Sequence, residues 1–195
     1  MDLRTYLHKG NKMIIKTINY RNISFSSQNN KSKLDSMDEK INEIGKRTVL
    51  PNGKINYCIF NERLVKEIAN KKEVALPYIE KFLERASDEK EIVEGLYILD
   101  CMIENGTKGV ERIYPTISRF NESESPNVQV FLAGIYRKIQ VPDAFGPLCS
   151  MLIRNSIKPN RNINFDPNEE VGGAILEYIR NRNATETYKI EKMLT

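Results

Sequence analysis

Apolar positions fall into two regimes along this chain. Before about residue 56 they are scattered; from Asn61 onward they recur every three or four residues almost without a break, the pattern of helices with one buried face. Leu64, Val65 and Ile68 predict a helix from Asn61 to about Asn70. Leu76, Ile79, Phe82 and Leu83 predict the next, over Val74 to Ala86. From Glu89 to Glu104, Ile92, Leu96, Leu99 and Ile103 share one stripe, and Ile98, Cys101 and Met102 widen it, so this helix is expected to lie deepest. Val110, Ile113, Tyr114 and Ile117 predict a helix from Thr107 to about Phe120, and Val128, Phe131, Leu132, Ile135 and Ile139 one that reaches Gln140. Phe145, Leu148, Cys149 and Leu152 predict a shorter helix beginning at Pro142-Asp143, and Val171, Ala174, Ile175 and Tyr178 a last inward stripe.

Local start signals agree with these stripes. Asn61, Ser87-Asp88 and Ser125-Pro126 are N-cap residues in place, and Asp166-Pro167-Asn168-Glu169 combines a capping box with a proline at the first helical position. Asn183 and Glu186 form a second capping box and predict a separate terminal helix. Asn105-Gly106 is a stop, and Asn155 to Phe165 reads as a polar, basic loop.

Three of the segments carry the same phrase: Val93-Glu94-Gly95-Leu96-Tyr97, Leu132-Ala133-Gly134-Ile135-Tyr136 and Val171-Gly172-Gly173-Ala174-Ile175. Their central glycines are separated by 39 residues both times, and Ser87, Ser125 and Asp166 precede them by eight, nine and seven. A fixed period of this length in a helical chain implies a stacked array of helix pairs. A glycine inside a helix costs about 1 kcal/mol relative to alanine, so close helix packing is the expected reason for all three. The first helix of each unit holds a proline within its stripe (Leu76-Pro77-Tyr78-Ile79, Tyr114-Pro115-Thr116-Ile117, Gly146-Pro147-Leu148-Cys149), which predicts a bend.

A first helix with a Leu-Pro pair, then a second that starts after a Ser/Asp cap and runs into Val/Leu-x-Gly, resembles the HEAT repeat of the armadillo-like α-solenoids. The resemblance covers roughly residues 73–182. It departs at Glu94, where the family often carries Arg, and in an extra loop of about seven residues in the third unit. The expected fold class is therefore all-α, a short α-solenoid of about three HEAT-like helix pairs over 59–195, behind a largely irregular N-terminal arm at 1–58.

Residues 1–31 are rich in Asn, Ser and Lys and read as unfolded in isolation, with one β-like stretch at Met13 to Ile18. Met1 and Met13 are both candidate initiators. Leu34, Met37, Ile41 and Ile44 put one apolar stripe on a helix over 33–45, stopped at Gly45, that either docks on the repeats or orders on a partner. Thr48 to Tyr57 holds Pro51-Asn52-Gly53 and reads equally as a small hairpin or an extended linker.

Charge sharpens the division. The formal net charge is +4, yet residues 1–55 hold 11 Lys/Arg against 5 Asp/Glu, while 56–195 hold 19 against 21. The basic character belongs to the arm, and the nearly neutral body is a poor match for a phosphate backbone. The chain has no Trp, and its single histidine, His8, lies in the arm, which argues against His-based metal or acid–base chemistry in the body. Cys58, Cys101 and Cys149 are odd in number and far apart, as buried reduced thiols are. No run of about 18 apolar residues occurs, and a cytoplasmic location is the default expectation.

Other constellations have structural readings. Asp88, Glu89, Glu91, Glu169 and Glu170 suit helix N-termini, and Gly172-Gly173 lacks the strand and Lys-Ser/Thr of a phosphate loop. Asp100, inside an apolar run, is expected to point outward or to find a hydrogen-bonding neighbour. The expected function is a non-catalytic protein-interaction module with no cofactor, no metal and no catalytic residue. Its partner would be another protein rather than nucleic acid, its own state a monomer or weak oligomer. Candidate partner-binding residues are the cations around the third unit's loop: Arg154, Lys158, Arg161, Arg180 and Arg182. The alternative from a different class is a HEAT-like enzyme or nucleic-acid-binding protein, in the manner of the HEAT-like alkylpurine DNA glycosylases or the bilin lyases.

Overall fold

The structure, a computed structural model, describes residues 6–9, 12–15, 37–46, 48–49, 55–56, 61–157 and 166–194, with side chains placed over 37–46, 61–157 and 166–182. From Glu62 onward every described element is helical: α2 (Glu62–Ala69), α3 (Leu76–Arg85), α4 (Glu89–Glu104), α5 (Tyr114–Ser118), α6 (Pro126–Ile139), α7 (Phe145–Ile157) and α8 (Pro167–Leu194). Ahead of them stand the strands β1 (Tyr6–Lys9) and β2 (Lys12–Ile15), helix α1 (Met37–Asn42), and the strands β3 (Thr48–Val49) and β4 (Ile55–Asn56). No helix among the described residues is long and apolar enough to cross a membrane.

The predicted caps are in place. Asn61, Asp88 and Ser125 accept from the backbone N–H of Leu64, Lys90 and Val128, and Asp166 accepts from Asn168 N at 2.9 Å. α4 is the most deeply set: Leu96, Ile98, Leu99 and Met102 are fully buried, with Ile92, Cys101 and Ile103 partly covered. The core runs without interruption from Ile41 in α1 to Tyr178 in α8. Fully burying each Leu, Ile or Met side chain contributes about 2 kcal/mol, so the stripes rather than helix propensity hold the array together.

Packing follows the alternation of the sequence. α2 packs on α4, α4 on α6 and α6 on α8; α3 lies against α4 and α5, and α7 against α8. Tyr136 ties the later units together. Its fully buried ring meets Tyr114, its hydroxyl reaches Asn121 Oδ1 at 2.7 Å, and Tyr178 donates to the Tyr136 carbonyl at 3.1 Å.

Two expectations about helices are corrected. The prolines do not bend the first helices. Each follows a one-turn 3-10 segment (Lys72–Val74, Val110–Ile113, Pro142–Ala144), and Pro77 and Pro115 occupy the first turn of α3 and α5, with Pro147 third in α7. A first-turn N–H has no partner inside its helix, so proline costs nothing there and fixes where the α-helix begins. There is also no separate terminal helix. Asn183 and Glu186 lie inside the unbroken α8, because no Gly or Pro interrupts 174–194 and Asn or Thr costs a helix only tenths of a kcal/mol.

The arm is only partly described, but what is described is structured. β1 and β2 pair antiparallel, Tyr6 opposite Ile15 and Lys9 opposite Lys12. The β-like stretch at Met13 thus belongs to a hairpin whose first strand, Tyr6–Lys9, the pattern alone left unread. β3 and β4 pair with Val49 opposite Ile55, which decides between hairpin and linker. The predicted 33–45 helix is one and a half turns long and docks on the body. Ile41 and Ile44 are buried, Lys40 pairs with Glu67 at 3.0 Å, and Arg85 donates to Asn42 at 3.1 Å. Leu34 and the tract 16–36 lie outside the described residues.

Glu94 fastens this junction. It is only 2% exposed, and its carboxylate accepts from Gly45 N at 2.6 Å and Asn61 N at 3.4 Å. Gly45 has φ +77°, and a Cβ there would stand 2.6 Å from Glu91 Cγ, so both conformation and space require glycine.

Candidate partner-binding surface

α4, α6 and α8 pack in succession, and partly buried side chains join each to the next. Tyr97 and Phe131 lie side by side on α4 and α6, half-buried, with ring centroids 5.6 Å apart. Further along the same two helices, Lys138 on α6 reaches back to Asp100 at 2.6 Å and Glu104 at 3.0 Å on α4. The next junction repeats the device: Arg137 on α6 meets Glu170 on α8 at 2.9 Å. Adjacent cations on one helix therefore turn to opposite neighbours, and each second helix is pinned to the next by an ion pair.

Burial raises the Asp100 carboxyl above the usual Asp range; Glu104 pushes the same way, while Lys138 and Arg137 oppose it. For Lys138, burial works against the charge, but Asp100 and Glu104 outweigh it and raise the ammonium's pKa. The triad thus favours the cation more than it favours Asp100. Burial, aided by Asp100 and Glu104, pushes the Cys101 thiol up to about 11, so it stays protonated and inert at neutral pH.

The pair makes a testable prediction with a definite sign. A carboxyl whose folded pKa lies above its unfolded value weakens the fold when ionised, and that cost disappears as pH falls through the folded pKa. Lys138→Met removes the compensating cation, so the variant is expected to lose about 2 kcal/mol at about pH 7 and clearly less at a pH acidic enough for Asp100 to take up its proton. Urea unfolding at the two pH values measures this. An equal loss at both would mean that Asp100 is not the group responsible.

The three repeat glycines do not share one environment. Only Gly95 marks a close approach: a Cβ there would stand 2.7 Å from Leu83 Cδ2 and 3.1 Å from Phe82 Cε1. At Gly134 and Gly173 the nearest atoms would be Glu170 Oε1 at 3.7 Å and Arg137 Nη1 at 3.6 Å, which is ordinary contact with the ion pair. The observed caps Asp88, Ser125 and Asp166 precede the glycines by seven, nine and seven residues. Gly173 shares its offset with Gly95 yet sits beside the ion pair as Gly134 does, so the distance from the cap does not set the environment. The expectation of tight packing at all three is corrected: it holds at Gly95, while Gly134 and Gly173 flank Arg137–Glu170.

The predicted cationic cluster has mixed fates. Arg154 is engaged within the fold, bonded to Glu122 at 2.6 Å and to the Asn121 carbonyl, where it joins α7 to the loop after α5. Arg180 is exposed on α8 and pairs with Glu177 at 3.2 Å; Arg182 is exposed two residues on. Lys158 and Arg161, like Cys58, lie outside the described residues. The aromatic pair Tyr97–Phe131 escaped the sequence reading because Phe131 counted as an inward position and Tyr97 only as part of the repeat. Nothing in the pattern says that they meet across two helices. No protein-family model, curated protein or solved structure matches this chain.

Proposed function

We propose that the chain is a short α-solenoid of about three HEAT-like helix pairs and works as a non-catalytic protein-binding module, docking its partner on the open face of α4, α6 and α8. The observation that carries this reading is the partly buried Tyr97–Phe131 pair at 5.6 Å, framed by Lys138, Asp100 and Glu104. Aromatic anchors inside a charged frame are the usual composition of a protein-binding hot spot. The ion pairs between successive second helices stiffen that face, so little order has to be gained on binding. Of the cations expected to meet a partner, Arg180 and Arg182 are exposed on α8 and suit an acidic stretch of that partner.

Affinity capture on the full chain, compared with a Tyr97→Ala/Phe131→Ala double variant, tests this. The expected result is a partner protein retained by the wild type and lost from the variant, with each truncation weakening binding about tenfold or more. Equal recovery by both would remove the aromatic pair from the interface. A salt-dependent shift of labelled DNA by the body alone would instead favour a nucleic-acid role.

A further inference from the structure

Helices α1 and α2 carry the marks of a first and a second helix. Ile41 and Ile44 recur 38 residues later as Ile79 and Phe82 on α3, and 38 later again as Ile117 on α5 and Phe120 just beyond it; all six are buried. In the same register Met37 packs against the core where Ala75 and Ile113 are buried. Glu39, Pro77 and Pro115, two residues on, are exposed in all three. The register thus matches in its inward and its outward positions, and α1 packs on α3 as α3 packs on α5. α5 is only five residues long, so the six of α1 suffice for a helix in this place.

An arginine marks each step between first helices. Arg85, which ends α3, donates to Asn42 Oδ1, on the last residue of α1, at 3.1 Å. Arg119, just past α5, donates to the Glu84 carbonyl near the end of α3, and Arg154 on α7 to the Asn121 carbonyl beyond α5. Each guanidinium reaches the carboxyl-terminal end of the preceding first helix or the turn after it, where a cation complements the helix dipole. α2 likewise ends as the later second helices do. Asn70, Asn105 and Gln140, 35 residues apart each time, cap α2, α4 and α6, and each donates its backbone N–H to the carbonyl four residues back. A 3-10 turn and then a first helix follow in all three cases. Asn105 Nδ2 also donates to Asn70 Oδ1 at 3.3 Å, which joins the ends of α4 and α2.

We infer that α1 and α2 are a fourth helix pair, ahead of α3–α4, with the β3–β4 hairpin inserted between its two helices, and that the pair opens and closes as one unit. The inference rests on the solenoid reading above and moves the start of the array from residue 59 to Met37. Glu94 then gains a second role. Its carboxylate joins Gly45 N, just after α1, to Asn61 N, just before α2, so a side chain of the following pair bridges the gap that the insertion leaves. In a stacked array each unit is stabilised by its neighbour, so lost packing in α1 is felt first by α2 and last by α6 and α8.

Native-state hydrogen exchange of the full chain tests this. In the wild type, Ile44 and Gly45 after α1 are expected to exchange through the same opening as Ile68 and Ala69 in α2, their rates rising in parallel as urea is added. Ile41→Ala is expected to speed exchange about a hundredfold in both α1 and α2, less in α3 and α4, and not in α6 or α8. Ile41→Val keeps most of the packing and is expected to give about fivefold in the same segments, so the result does not hang on a variant that unfolds the pair. Acceleration confined to α1 would show a segment docked on a body that stands without it, and overturns the inference. Wild-type α1 exchanging more than about tenfold faster than α2 overturns it as well. Equal acceleration from α1 to α8 would mean one cooperative core; that result removes the solenoid reading, and the count of units with it.

Discussion

Gly95→Val is expected to destabilise the protein by about 3 kcal/mol, whereas Gly134→Ala and Gly173→Ala are each expected to stabilise it by about 0.5–1 kcal/mol. The opposite signs follow from what each new side chain meets. At Gly95 a Cβ alone would approach Leu83 Cδ2 to 2.7 Å and two Phe82 ring carbons to within 3.3 Å, and both residues are buried between α3 and α4. Neither can retreat without opening the core, and valine adds two methyls to the conflict. At Gly134 and Gly173 the neighbours are the ends of Glu170 and Arg137 at 3.7 and 3.6 Å, so the substitution removes the glycine's conformational cost and displaces nothing. Chemical denaturation of the three single variants checks this. A stable Gly95→Val would mean that α3 and α4 can separate there; a destabilised Gly134→Ala would mean that the Arg137–Glu170 junction is as tight as the one at Gly95.

Glu94→Ala is expected to cost about 2 kcal/mol and to release the arm from the body. The carboxylate joins two backbone N–H groups that have no partner inside their own elements, Gly45 N after α1 and Asn61 N at the start of α2. Truncation leaves Gly45 N at a partly buried site without its acceptor, where an unmade bond costs more than a made one contributes. α1 is six residues long and cannot persist without its contacts. Its other ties, Lys40 to Glu67 and Lys90 to the Lys46 carbonyl, are partly or fully exposed and worth little each. Hydrogen exchange is therefore expected to lose protection at Gly45 and through α1, while α6 and α8 keep theirs. Glu94→Gln retains one acceptor and is expected to cost about half as much. Unchanged exchange at Gly45 in Glu94→Ala would show that Ile41 and Ile44 hold the arm by themselves.

These two cases also divide what a linear reading can reach. The helical body, its element order and its caps at Asn61, Asp88, Ser125 and Asp166 were legible because they are local: a stripe every three or four residues and a side chain two or three positions from the amide it caps. The apolar stripe of α1 was legible for the same reason, while only the structure chose docking on the body over ordering on a partner. Proline was read correctly as a mark within each first helix and wrongly as a bend, because its effect depends on whether it stands in the first turn or later.

What the amino-acid sequence determined by itself, then, is the set of helices, their starts and the faces they bury, all consequences of short-range periodicity. Tertiary structure alone decided which neighbour each face meets. It set Gly95 against α3 but Gly134 and Gly173 beside an ion pair, brought Tyr97 next to Phe131, and gave Glu94 two amides from distant parts of the chain. The physical reason is geometric. A helix face meets whatever element the fold sets against it, so glycines a constant 39 residues apart stand against α3 in one case and beside an ion pair in the other two.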